Sequence, residues 1–161
     1  MKKQQQLIAF DEYASMDELG TEDRMLLEKA QQVTSQAYAP YSHFHVGACA
    51  LLSNGEIVTG TNQENASFPV GLCAERVLLS SISSFFPNIP IKTMAISYAP
   101  EAGKSDHPVA PCGICRQTLV EYEERLKQPI RLILGGMEGK IIVVNNASSL
   151  LPFAFNSDEL A

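Results

Sequence analysis

The sequence predicts an α/β fold in which a single mixed, five-stranded sheet forms the middle of a three-layer α-β-α arrangement, flanked by helices. Three observations carry this expectation. Apolar residues recur at helical spacing in three long stretches and one short one, and in β-compatible runs in five others, in the order α-β-β-α-β-α-β-β-α. The chain has 161 residues, the length of one domain, and a chain of that size can bury roughly 70% of its unfolded surface without a disulfide framework. No internal repeat or linker breaks the pattern. Residues 1–20, polar and acidic, read as an N-terminal arm, and residues 21–161 as the folded domain.

The elements follow in order. From Thr21, placed to cap, Leu26, Ala30, Val33 and Ala37 repeat at 3.6-residue spacing, and this helix ends before Pro40. His45 to Leu52 is apolar and β-compatible, Asn54-Gly55 is a hairpin turn, and Glu56 to Gly60 is the returning strand. Cys73 to Phe86 reads as a helix with Val77, Leu78 and Ile82 on its apolar face, stopped by Pro87 and Pro90. Ile91 to Tyr98 is a buried strand, and the Pro-, Gly- and Ser-rich stretch from Ala99 to Pro111 is a loop. A third helix runs from Cys112 to Leu126, with Ile114, Leu119, Tyr122 and Leu126 apolar. Ile130 to Leu134 and Lys140 to Val144 are strands separated by glycines, and a short helix from Ala147 to Leu151 closes the pattern.

Composition narrows the function. With 12 Lys and Arg against 18 Asp and Glu the net charge is −6, which repels polyanions and disfavours a nucleic-acid partner. At 45% hydrophobic and 19% charged the chain is an ordinary globular protein rather than a disordered one. The first residues lack the apolar core of a signal peptide, and no stretch approaches the ~20 apolar residues of a membrane span. A cytoplasmic protein with no membrane partner is expected. Four cysteines are too few for a secreted scaffold, so their spacing matters more than their number.

Cys112-Gly-Ile-Cys115 at a helix start is ambiguous alone, since a C-x-x-C pair fits a metal site, a redox pair or two small core residues. Cys73 opens the only other helix that carries a cysteine, and three thiolates at two helix starts can share one zinc ion. Three protein ligands leave a fourth position for water, the arrangement of a catalytic site. Three thiolates on a divalent cation leave a charge of −1, which weakens the acidity of that water; Arg76 is placed to offset it from outside the ligand shell. Glu75, two residues from Cys73, is placed beside the metal without ligating it, as a proton carrier. Cys49, between two alanines in mid-strand, reads as a buried small hydrophobe. His43 and His45 alternate along a strand but are not needed as ligands, and His107 has no evident partner.

Cys73-Ala-Glu75 followed by Pro111-Cys112-x-x-Cys115 resembles the signature of zinc-dependent nucleoside deaminases. Tyr41-Ser-x-Phe44-x-Val-Gly47-Ala, Asn62-x-Glu64-Asn65-Ala, Cys112-Gly-x-Cys115-Arg-Gln and Leu150-Leu-Pro-x-Ala-Phe155 resemble successive blocks of the cytidine deaminase family, over about residues 21–160. The resemblance implies a cytidine deaminase-like fold and one zinc ion per subunit on Cys73, Cys112 and Cys115. It also implies zinc-dependent hydrolytic deamination of cytidine and 2′-deoxycytidine to uridine and 2′-deoxyuridine in pyrimidine salvage, with Glu75 catalytic. It places Phe44, Asn62, Glu64 and Ala74 at the nucleoside, Arg76 outside the ligands, and Phe155 in a neighbouring subunit's pocket within a homotetramer. The chain departs from the family in a longer arm, a longer loop from Glu101 to His107, and Phe153 where glycine is common.

Rival readings share parts of this pattern. A deaminase of modified cytosine nucleosides, the blasticidin type, lacks the Asn-x-Glu-Asn block. Polynucleotide editing conflicts with the −6 charge. A closed zinc module takes a fourth ligand from His107 or Cys49, and a redox protein pairs Cys112 with Cys115.

Overall fold

In the computed structural model, which describes residues 1–160, the fold is organised by one long strand. β2 (Phe44–Leu52) is almost wholly apolar or small, so both of its faces can be covered. It turns through Gly55, at φ +89°, into β3 (Ile57–Thr61). The Asn54 side chain accepts from the Glu56 amide at 3.1 Å, closing the expected hairpin. On its other side β2 pairs antiparallel with β4 (Ile91–Pro100), Gly47 opposite Ser97. β4 pairs parallel with β5 (Arg131–Gly135), and β5 antiparallel with β6 (Ile141–Val144).

The sheet has six strands, not five. Asp11–Tyr13, within the N-terminal arm, forms β1 and adds antiparallel to the edge of β6, giving the order β1-β6-β5-β4-β2-β3. Lys140 Nζ donates to Glu12 at 2.7 Å and fastens this edge. A strand of three residues carries no sequence periodicity of its own; it exists because β6 offers unpaired backbone groups.

Alternation along the strands splits the core into two layers. Cys49, Leu51, Ala95, Ile133 and Val143 face α1 (Thr21–Val33), where Leu26, Leu27 and Ala30 are fully buried. Ala48, Ala50, Leu52, Met94, Ile96 and Leu132 face α2 (Ala74–Phe85) and α3 (Gly113–Leu126) through Leu78, Ile82 and Leu119. Arg131 braces the α1 layer with a two-pronged pair to Asp23 at 2.6 and 2.7 Å.

Three local expectations are corrected. Gly20, not Thr21, is the N-cap of α1, with no side-chain cap bond, because Thr21 already has helical backbone. Ile114 is 63% exposed: in the first turn of α3, which begins at Gly113, it is Cys115 that faces inward and is fully buried. The predicted helix from Ala147 to Leu151 is a single 3-10 turn, Ala147–Leu150.

The close seating of α2 depends on Gly60. A Cβ there would lie 2.5 Å from the Leu78 amide nitrogen and 2.8 Å from the Ala74 carbonyl, contacts that backbone cannot relieve without moving the helix. Gly60→Ala is expected to destabilise the fold by about 1–3 kcal/mol, read as a fall of several degrees in the thermal midpoint. An unchanged midpoint contradicts this account of how α2 is placed.

Candidate active site

The site lies where α2 and α3 begin. Cys73 is the N-cap of α2 and Cys112 the N-cap of α3, each with extended backbone, and neither uses its side chain as a cap. Their sulfurs are therefore free to point at one another. Cys73 Sγ lies 3.7 Å from Cys112 Sγ, Cys112 Sγ 3.5 Å from Cys115 Sγ, and all three sulfurs are within 4.8 Å of one another. A tetrahedral zinc site with Zn–S bonds of about 2.3 Å requires sulfurs about 3.8 Å apart. The three thiols are thus spaced for zinc with little rearrangement. Cys115 is buried, Cys73 half-buried and Cys112 exposed, so the cluster opens to one side.

The electrostatics agree with thiolate character. The hydrogen bond with Cys115 lowers the Cys73 thiol to about 6, with the positive charge of Arg76 adding in the same direction. Cys115 is held high, first by that same bond and then by burial. Cys73 and Cys115 titrate as a coupled pair rather than as independent thiols.

Glu75, in the first turn of α2, is only 5% exposed. Burial pushes its carboxyl above the ordinary value of 4.5. It borders a cavity of about 330 Å³ whose wall also includes Cys73, Ala74, Cys112, Asn62 and Glu64. That volume lies within the range of small-molecule sites.

A family model described as the cytidine and deoxycytidylate deaminase zinc-binding region matches residues 20–127. The chain belongs to this deaminase family. It is 35% identical over 137 residues to a cytidine deaminase of Halalkalibacterium halodurans, which covers 85% of this chain and 96% of that protein. A cytidine deaminase of Mycobacterium tuberculosis is 34% identical over 139 residues, 84% of this chain and 91% of its own length. The crystal structure of cytidine deaminase from Burkholderia pseudomallei matches with a TM-score of 0.72 at 34% identity, over 85% of this chain and 100% of that one. The zinc of the deaminase family fits the Cys73, Cys112 and Cys115 cluster, one ion per subunit.

The remaining residues of the deaminase pattern fall into distinct places. Asn62 borders the cavity, and its amide also stitches the mouth of the hairpin: Oδ1 accepts from the Val46 amide at 2.7 Å and Nδ2 donates to the Phe44 carbonyl at 2.9 Å. Glu64 accepts from the Tyr41 amide at 2.8 Å and the Ser42 amide at 3.2 Å. The Ser42 side chain, followed by the Tyr41 amide, holds its carboxyl below the usual range, so it is ionised. Phe44 does not border the cavity; its ring stacks on Tyr98 with centroids 5.1 Å apart. Arg76 makes no hydrogen bond to a cysteine sulfur among the described residues; it acts on them through charge. Phe155 is exposed and borders none of the cavities described above, while its carbonyl accepts from Gln117 Nε2 at 2.7 Å. Phe153 is fully exposed at φ +57°, a backbone region that favours the glycine common in the family there.

Other residues resolve the rival readings. Cys49 lies in the α1 layer, fully buried, its thiol pushed up to about 11 by burial. His107 does have partners, Tyr98 at 3.1 Å and Asp106 at 3.1 Å, rather than a metal. His43 and His45 both engage Glu101, at 3.0 and 3.3 Å. Among the described residues no fourth His, Cys, Asp or Glu joins the thiol cluster. Sequence reasoning missed Phe68, Leu72 and Val109 as cavity walls. Phe68 also packs edge-on to Tyr41 at 5.6 Å over a second hollow that shares Glu64 and Gly71. The only available signal was an aromatic residue in the loop before the Cys73 helix.

The buried Glu75 gives a pH signature in chelated protein. Because its folded value is raised, its stabilising contribution is complete below the ordinary value and is lost as pH rises through the raised one. Glu75→Gln and wild type are expected to melt alike near about pH 4, and the variant to melt higher by about pH 8. Thermal melts of the metal-free proteins across that range check this, and a constant gap contradicts it.

Proposed function

We propose that this chain hydrolyses cytidine and 2′-deoxycytidine to uridine and 2′-deoxyuridine with release of ammonia, as a cytoplasmic homotetramer in pyrimidine salvage. One observation carries the reading: a buried carboxylate borders a small cavity together with two of three convergent thiols, the third buried just behind them.

Zinc held by Cys73, Cys112 and Cys115 supplies a cation that makes water acidic enough to be a nucleophile at neutral pH. Glu75 takes a proton from the attacking water and delivers it to ring N3 as the C4–O bond forms; it then takes the second proton from the new C4 hydroxyl and passes it to the amine as the C4–N bond breaks, so that ammonia leaves and C4 becomes a carbonyl. Burial raises the Glu75 carboxyl, which makes it a better proton acceptor than an exposed glutamate. Arg76 offsets the excess negative charge of three thiolates. The Ala74 backbone lies between the ligand and the acid-base residue, against the base.

Asn62 and Glu64 face the sugar. An ionised carboxylate accepts a hydroxyl proton and repels a phosphate, which selects a nucleoside over a nucleotide and over polynucleotides. Phe44, held by Asn62 and Tyr98, is the aromatic support behind that edge. The exposed side chains of Ile114, Phe153 and Phe155 support the assembly of subunits, with Phe155 reaching a neighbour's pocket. Free thiols at the ligand positions support a reducing compartment, and no helix among the described residues is long and apolar enough to cross a membrane.

Glu75→Ala is expected to keep about one zinc per chain while losing at least ~10²–10⁴-fold in turnover. The ultraviolet absorbance of cytidine follows the reaction, with blasticidin S as the competing substrate and a chelator as the control. Full activity of the variant, preference for blasticidin S, or indifference to the chelator would each sink the assignment.

A further inference from the structure

Directly after the ligand Cys115, α3 places Arg116 and Gln117 against the C-terminal segment. The half-buried Arg116 guanidinium bridges two distant carbonyls: Nε donates to Pro111 at 2.8 Å, the residue before Cys112, and Nη1 donates to Leu150 at 3.0 Å. Gln117 Nε2 donates to the Phe155 carbonyl at 2.7 Å. Two turns further along α3, the buried Glu123 carboxylate accepts from the amides of Ile130 at 2.7 Å, Ala147 at 2.9 Å and Ser148 at 3.1 Å.

Apolar burial holds that segment only at its start, where Ala147 joins the core and Leu150 packs against it. Ala147 is buried, but Leu150 and Leu151 are only partly so, and Phe153 and Phe155 are exposed. Its position is set by polar bonds from α3. Arg116 is the one side chain among these that also touches the turn leading into Cys112. A guanidinium is planar and rigid, so moving either carbonyl disturbs the bond to the other, and a lysine cannot span both.

We propose that Arg116 is a positioning residue that couples the thiolate-bearing turn Pro111–Cys115 to the C-terminal segment, so that filling the thiolate site orders residues 147–155. Loosening that segment is in turn expected to speed the loss of zinc. The proposal rests on the thiols taking zinc and is independent of which nucleoside is the substrate.

Hydrogen exchange by mass spectrometry on the full chain, zinc-loaded and chelated, tests it, together with the rate of zinc transfer to a chromogenic chelator. In wild type, zinc is expected to slow exchange over residues 147–155 by about tenfold. In Arg116→Gln, zinc still protects the first turn of α3 but no longer protects 147–155, and zinc is lost about 10–100 times faster. Arg116→Lys falls between, because one of the two bonds can be remade. Gln117→Ala frees only the stretch around Phe155 and leaves zinc transfer at the wild-type rate. Exchange over Leu26–Val33 in α1 reports whether each variant is folded; if Arg116→Gln is not, the Lys variant carries the comparison. Equal zinc-dependent protection of 147–155 in wild type and the Arg116 variants overturns the coupling, as does its absence in wild type. A chain that takes up no zinc at all overturns both this proposal and the zinc site.

Discussion

The arrangement that everything else serves is the meeting of two helix starts at one point. Cys73 and Cys112 come from loops on separate connections, yet their sulfurs stand 3.7 Å apart. Neither loop fixes this distance. It follows from β3 and β4 flanking β2, from α2 seated on Gly60, and from α3 packed on the same face of the sheet. Because unpaired N–H groups gather at a helix start, each sulfur is also delivered into a field that favours its charged form. The sheet is thus a ruler, and the helices bring both the ligands and the electrostatics that suit them.

The same geometry divides the four cysteines by environment. Three cluster within 4.8 Å of one another, two of them bordering the cavity with Glu75, and the fourth, Cys49, faces the opposite layer, where burial keeps its thiol protonated. One step of strand alternation accounts for the separation: Ala48 and Ala50 face α2 and α3, and Cys49 between them faces α1. A protonated, enclosed thiol does not compete for metal. Electrostatic contrast continues across the cavity, where Glu75 is raised by burial and Glu64 is lowered by hydrogen bonds. Two carboxylates a short distance apart are thereby suited to different tasks.

Much of this was legible in the sequence because it is local. The hairpin at Asn54-Gly55, the helical spacing of Leu26, Ala30 and Val33, and the C-x-x-C beside a second helix-opening cysteine all announce themselves within a few residues. What was not legible depends on distant partners. β1 is created by pairing Asp11 with Val143. The exposure of Ile114 follows from Cys115, not Ile114, turning inward at the start of α3. Asn62 could be recognised as a polar residue near the site, but its two bonds to the β2 backbone emerge only once the hairpin is folded. Phe68 and Val109 reach the cavity through loops, whose paths no periodicity encodes.

β1 also bears on the order of events during synthesis. The strand leaves the ribosome first, but its partners, Ile141 to Val143, are among the last residues to appear. Until then the N-terminal segment has no edge to join, and β6 cannot be shielded until it exists. Completion of the sheet therefore waits for Ile141 to Val143, and a product cut short before Ile141 would lack both outer strands on that side.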